Sequence, residues 1–270
     1  VALVTGAARG QGRSHAIRLA EEGADIIAID IAADLPALAY GLGSREQLAE
    51  TVQAVEALDR RIVSAEADVR DFAAVHEVVD EGIALLGGLD IVVANAGVVS
   101  FGTAEELDEE HWRTIIDVNL TGVWHTVKAT IPHLRARGGG SIVLTSSMAG
   151  LKGMQNLAHY AASKHGVVGL MKTLALELAP DSIRVNTVNP GNVDTDMTNN
   201  ASTFAVFAPD LPAEERTKEA LLGRFQTLHA LAVPQIPARD VSNAVLFLAS
   251  DEARYITGVA LPVDAGALVR

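Results

Sequence analysis

An apolar run, a glycine-rich loop and an amphipathic segment open the chain. Val1–Thr5 reads as a short buried strand, and it runs straight into Thr5-Gly6-Ala7-Ala8-Arg9-Gly10-Gln11-Gly12. The next stretch carries Ile17, Leu19 and Ala20 at helical spacing, with Gly23 suited to closing the helix. In the order strand, glycine loop, helix, a glycine pattern points to a bound dinucleotide. The glycines let the backbone approach a pyrophosphate, and the helix N-terminus offers free N–H groups and a positive dipole end. The spacing here is G-x-x-x-G-x-G, which by itself also fits an ordinary tight turn. The chain starts without Met, inside the first apolar run, so a few residues are expected to precede Val1.

The same alternation continues to the end. Asp25–Asp30, Ile62–Asp68, Leu89–Ala94, Ser141–Ser147, Ile183–Asn189 and Val259–Val263 read as further strands, and Leu89–Ala94 is nearly all apolar, as a strand covered on both faces is. Helices are expected between them. One follows Ser44, with Gln47 placed for a capping box and Leu48, Val52 and Val55 on one face. Another starts from Asp71 and carries Val75, Val78, Val79 and Ile83; long ones span about 109–137, with Pro132 as a bend, and about 156–179; a last one starts near Arg239. The expected fold is a single α/β domain over 1–270: a Rossmann-type, doubly wound, parallel seven-stranded sheet with helices on both faces.

Ligands of such sheets sit beyond the C-terminal strand ends. There the chain places Gly6–Gly12, Asp30, Asp68, Asn95–Gly97, Ser147 and Pro190–Gly191, so these residues are expected to converge on one edge. Asp30 suits ribose hydroxyls and repels a 2′-phosphate, which favours NAD; Arg9 is a contrary hint towards NADP. Asp68 either meets the adenine amino group or caps the helix after it. The connection 31–43, with Pro36, Tyr40, Gly41 and Gly43, exceeds the usual length of about 2–6 residues and reads as a flap over the adenosine end. The stretch 192–237 reads as a substrate lid. Its Phe204, Val206, Phe207, Leu211, Leu221, Leu222, Phe225 and Leu228, with Val98, Met148, Met154 and Leu157, suggest a bulky apolar alcohol.

Composition narrows the class of ligand. A net charge of −13 argues against nucleic acid and anionic membrane surfaces. No cysteine is present and the histidines form no H-E-x-x-H pair, so thiolate and zincin-type metal sites are not expected. No apolar run is long enough to span a bilayer, and the expected location is the cytoplasm.

Tyr160-Ala161-Ala162-Ser163-Lys164 supplies the chemistry. Residues four apart share one helix face. An ammonium roughly 4 Å from a phenol favours phenolate by about 1–4 kcal/mol, depending on the surroundings. That lowers the phenol's pKa by about 1–3, towards the range of a proton-transfer group. His159 beside it reads either as a pocket residue or as a packed one.

Together these residues resemble the short-chain dehydrogenase/reductase family over nearly the whole chain. The carriers are Thr5-Gly6 through Gly10 and Gly12, Asn95-Ala96-Gly97, Pro190-Gly191, and a tetrad falling on Asn119, Ser147, Tyr160 and Lys164. Gln11 stands where a small or aliphatic residue is usual. The resemblance implies NAD held by Gly6, Arg9, Gly10, Gln11 and Gly12, by Asp30 and Ile31, and by Asp68 and Val69. It adds Asn95, Ala96, Gly97, Asn119 and Thr145, then Tyr160 and Lys164, and finally Pro190, Gly191, Val193, Thr195 and Met197. It implies that Tyr160 exchanges the alcohol proton, Lys164 lowers its pKa and holds ribose hydroxyls, Ser147 binds the substrate oxygen, and Asn119 positions a water. The stretch 6–15, the long 31–43 connection and the ending 253–258 look like the mycofactocin-associated branch that includes carveol dehydrogenases. That implies tightly held NAD, a mycofactocin-like external electron carrier, a cyclic or terpenoid alcohol and a homotetramer. An NADP-dependent ketone reductase and a non-catalytic dinucleotide-binding regulator are the alternatives.

Overall fold

Strands that are apolar on both faces must be covered on both, and the chain achieves this by winding helices alternately to either side. The computed structural model describes Val1–Arg270. Its elements are β1 (Ala2–Thr5), α1 (Gly10–Glu21), β2 (Ile26–Asp30), α2 (Arg45–Glu56), β3 (Ile62–Glu66), α3 (Phe72–Leu86) and β4 (Ile91–Ala94). There follow α4 (Glu109–Ile116), α5 (Gly122–Arg137), β5 (Gly140–Thr145), α6 (Ala158–Leu178) and β6 (Ile183–Pro190). The chain closes with α7 (Ala201–Phe207), α8 (Lys218–Gln226), α9 (Ala238–Ala249) and β7 (Ala260–Val263).

All seven strands are parallel, in the order β3-β2-β1-β4-β5-β6-β7. The order reverses between β1 and β4, where a doubly wound sheet opens its crevice. Successive side chains point to opposite faces. Leu3, Ile27, Ile29, Val92, Ile142 and Leu144 therefore pack with α3, α5 and α6. Their neighbours Ala2, Val4, Ile26, Ala28, Val93 and Val143 pack with α1, α2 and α9.

Several helix ends follow the sequence signals. Gly23 adopts φ +94, its N–H bonds the Ala20 carbonyl, and the Ala24 N–H bonds the Leu19 carbonyl, a Schellman closure of α1. Ser44 and Gln47 form the reciprocal capping box of α2, and the Asp71 carboxylate accepts the Ala73 and Ala74 N–H groups at the start of α3.

Two helices differ from expectation. The span 109–137 is not one α-helix bent at Pro132: a π-helical turn, Asp117–Thr121, separates α4 from α5. The wider turn carries Asn119 inward, where it is fully buried. The helix bearing Tyr160 starts at Ala158 rather than Asn156. Asn156 takes a left-handed conformation, φ +64, and its carbonyl accepts the Gly102 N–H at 3.0 Å.

The stretch expected to act as a lid has a core of its own. Phe204, Ala208, Leu221 and Phe225 form a small core of their own, with Phe207, Leu211 and Leu228 packed on it. These seven residues therefore pack on one another, whereas Val193 and Met197 line the cleft. Asp194 ties this unit together near the exit of β6, accepting from Lys218 Nζ and Asn199 Nδ2, both at 2.6 Å.

Candidate active site

One cleft runs along the C-terminal strand ends, and every strand from β1 to β6 contributes to it through the residues that follow. At the β1 exit, Gly6, Arg9, Gly10, Gln11 and Gly12 line it. A Cβ on Gly12 would lie 1.9 Å from the Gly6 carbonyl oxygen, so the loop closes on α1 only with glycine there. The loop delivers the first turn of α1, with its unpaired amides, to the cleft. The side-chain oxygen of Gln11 is buried there without a partner. The helix N-terminus on this wall suits an anionic ligand such as a pyrophosphate, while the Gln11 oxygen, an acceptor, suits a donor such as a hydroxyl.

Asp30 and Ile31 line the cleft after β2. The Asp30 carboxylate is buried and accepts the Ala8 N–H at 2.9 Å and the Ala32 N–H at 3.0 Å. It therefore locks the glycine loop to β2 as well as facing the cleft. Arg9 does not reach for a phosphate: its guanidinium donates to the Gly41 carbonyl and to the Asp196 carboxylate, the latter at 3.0 Å. Asp68 and Val69 follow β3 and line the cleft. Asp68 does not cap α3, a place Asp71 takes; it pairs with Arg70 at 2.6 Å instead.

At the switch point, Asn95, Ala96 and Gly97 line the cleft. The Asn95 and Ala96 N–H groups both donate to Thr5 Oγ1 at 3.0 Å, and Asn95 Nδ2 donates to the Thr5 carbonyl at 3.0 Å. Thr145 Oγ1 reaches Asn95 Oδ1 at 3.3 Å, so this side chain stitches β1, β4 and β5. Pro190, Gly191, Val193, Thr195 and Met197 line the far wall after β6. Of the apolar residues expected around an alcohol, Val98 lines the cleft, whereas Met148, Met154 and Leu157 do not.

Ser147, Tyr160 and Lys164 meet at one end of this cleft. Lys164 is buried, with Nζ on the Thr145 carbonyl at 2.8 Å and 5.7 Å from the centre of the Tyr160 ring. Burial lowers the Lys164 pKa to about 8. Burial also pushes the Tyr160 phenol above its ordinary value, against the pull of a hydrogen bond from Ser147. The sequence-based expectation of a lowered phenol is thus reversed in the protein alone. Desolvation penalises phenolate, and the ammonium is turned to a carbonyl. Asn119 does not line the cleft. Its Oδ1 accepts the Val98 N–H at 2.8 Å and its Nδ2 donates to the Val98 carbonyl at 2.9 Å. Its Nδ2 also reaches Ser163 Oγ at 3.4 Å, so the carboxamide braces the Val98 peptide against α6.

His159 is packed rather than pocket-lining: it is fully buried, with Nε2 2.7 Å from Ser100 Oγ. His15 is likewise buried, with Nδ1 2.8 Å from Ser242 Oγ. Burial lowers their pKa values to about 4 and about 3. Between pH 6.5 and those values the unfolded chain binds protons that the folded chain refuses, so stability falls as pH drops through this window. Each imidazole contributes up to about 1.4 kcal/mol per pH unit. His15→Gln is expected to remove about half of this slope in urea unfolding at pH 6.5 and 4.5; an unchanged slope would contradict the assignment.

Tyr40, Leu35 and Leu42 also line the cleft, as do Asp196 and Thr198. The apolar spacing of Leu35, Leu38 and Leu42 was the available signal for the first group. Asp196 and Thr198 carry none beyond following Pro190-Gly191. No group of histidine and carboxylate side chains is arranged to hold a metal ion, and no helix is long and apolar enough to cross a membrane.

Comparison with known proteins accords with this geometry. The family described as short chain dehydrogenase matches residues 1–205. The (-)-trans-carveol dehydrogenase of Rhodococcus erythropolis is 52% identical over 272 residues, covering 100% of this chain and 98% of that protein. A crystal structure of carveol dehydrogenase from Mycobacterium avium in complex with NAD is 55% identical, with a TM-score of 0.97, covering 100% of this chain and 97% of that one. That of a short chain dehydrogenase from Mycobacterium paratuberculosis bound to NAD is 45% identical, with a TM-score of 0.90 and the same coverage. A family match over most of the chain, near-complete alignment with these relatives and the cleft described above lead to one assignment: the chain belongs to the short-chain dehydrogenase family.

Proposed function

We propose that the protein oxidises a bulky, apolar, cyclic secondary alcohol with NAD, and reduces the corresponding ketone in reverse. The observation that carries this reading is the meeting of Ser147, Tyr160 and Lys164 at one end of a cleft whose other end holds the glycine loop and Asp30. The carveol dehydrogenases among its relatives support the cyclic alcohol.

When bound, NAD supplies the carbon that accepts hydride. The chain's own groups handle the proton and the orientation. Tyr160 Oη takes the alcohol proton, and Ser147 Oγ hydrogen-bonds the same oxygen and steadies its developing charge. Lys164 holds ribose hydroxyls and favours the Tyr160 phenolate once drawn from the Thr145 carbonyl. Asn119 acts through the Val98 peptide it fixes. Arg9 is committed to Asp196 and Gly41, which removes the support for the NADP-dependent ketone reductase.

The flap, fastened by Arg9 to Gly41 and by Tyr40 to Val99, supports tight retention of NAD, electrons leaving through an external carrier of the mycofactocin type. A homotetramer built on α5 and α6 belongs to the same reading. Denaturing the purified, dialysed protein is expected to release close to one NAD per chain. An empty protein contradicts tight retention, and released NADP contradicts the cofactor assignment.

A further inference from the structure

Tyr40 is bonded far from its own segment. Its phenolic oxygen accepts the Val99 N–H at 3.1 Å. The carbonyl of that same peptide unit, on Val98, accepts Asn119 Nδ2 at 2.9 Å. One peptide group is therefore gripped at its N–H by the flap and at its C=O by a residue of the matched tetrad. A peptide held at both ends cannot rotate without breaking a hydrogen bond.

The grip is itself supported. Leu35, packed with Leu38 and Leu42, joins a cluster with Val98, Ile115 and Val118, on which the Tyr160 ring also rests. The next residue, Gly41, is tied by its carbonyl to Arg9. Tyr40, Val98, Ser147 and Tyr160 face the same cleft. Burial pushes the Tyr40 phenol up to about 12, so it remains a neutral hydroxyl at working pH.

We propose that Tyr40 is a positioning residue for the reacting end of the cleft: by fixing the Val98–Val99 peptide it sets the wall against which the alcohol's carbon skeleton rests. The flap then tunes alcohol selectivity as well as covering the nucleotide. The choice of ligand rests on the alcohol oxidoreductase reading above; the brace itself does not.

Tyr40→Phe keeps the ring and its packing while removing the acceptor. Hydrogen exchange of the 96–102 stretch is expected to speed up by about fivefold or more at Val99, with β4 amides unchanged. Unaltered exchange at Val99 would overturn the proposal. In turnover with an artificial electron acceptor, KM for cyclohexanol is expected to rise about three- to tenfold, with kcat and the KM for 2-butanol within about twofold. Equal changes for both alcohols, or an effect confined to bound NAD, would also overturn it. Wild-type protein inert towards both alcohols would remove the alcohol reading and this choice of ligand, whereas the exchange rates alone decide whether Tyr40 holds the wall.

Discussion

Tyr160→Phe is expected to abolish turnover while leaving NAD binding within about twofold of wild type. General acid–base groups contribute about 10²–10⁴ in rate, and the other titratable group at that end of the cleft, Lys164, is held on the Thr145 carbonyl. Deleting one oxygen from a ring that rests on the Val98–Val118 cluster removes little packing, so the fold and the nucleotide site should survive. Steady-state rates with an artificial electron acceptor, and the NAD released per chain on denaturation, check both halves. Residual activity above about 1% of wild type would mean that another group accepts the proton. The raised phenol has a signed consequence as well. Burial favours the neutral form, so alcohol oxidation, which needs phenolate, should rise with pH, and ketone reduction, which needs phenol, should fall.

Gly12→Ala is expected to be the most damaging single methyl in the protein. The added carbon would lie 1.9 Å from the Gly6 oxygen and 2.6 Å from its carbonyl carbon, both backbone atoms that no rotamer change can move. The loop must open, and Gly6 cannot retreat freely because its own neighbourhood includes the Ala96 backbone. The Asp30–Ala8 hydrogen bond that locks the loop to β2 should break with it. We expect a loss of about 2–4 kcal/mol in unfolding free energy and at least about a hundredfold loss in NAD affinity. Thermal unfolding and NAD titration would show it; near-normal values for both would mean that the loop is not the close-packed cradle described here.

How much of this was legible in the sequence depends on the range of the determinants. The strand positions, the glycine loop, the capping box at Ser44 and Gln47 and the end of α1 at Gly23 follow from short patterns with local causes. Asn119 falls inside the long helix expected over 109–137, but neither the π turn that carries it nor its bonds to Val98, twenty-one residues away in sequence, has a local signal. The apolar residues of 192–237 signalled burial without saying against what. Phe204 and Phe225 find each other rather than a ligand, because periodicity records that a side chain is hidden and not which surface hides it. The raised phenol of Tyr160 reverses a pairwise estimate that counted the Lys164 charge and not the burial both groups share. Tyr40 and Asp196 lie on irregular segments, whose reach across the cleft no spacing rule encodes.

Transfer of hydride and proton from a cyclic secondary alcohol within this cleft is tested most directly by a single turnover. Wild-type protein carrying NAD is mixed with carveol or cyclohexanol and no external electron acceptor, and the reduced-nicotinamide signal is followed. A rise of up to one reduced nicotinamide per chain is expected, absent in Tyr160→Phe. Folded, NAD-loaded protein that gives no such signal with either alcohol would contradict it.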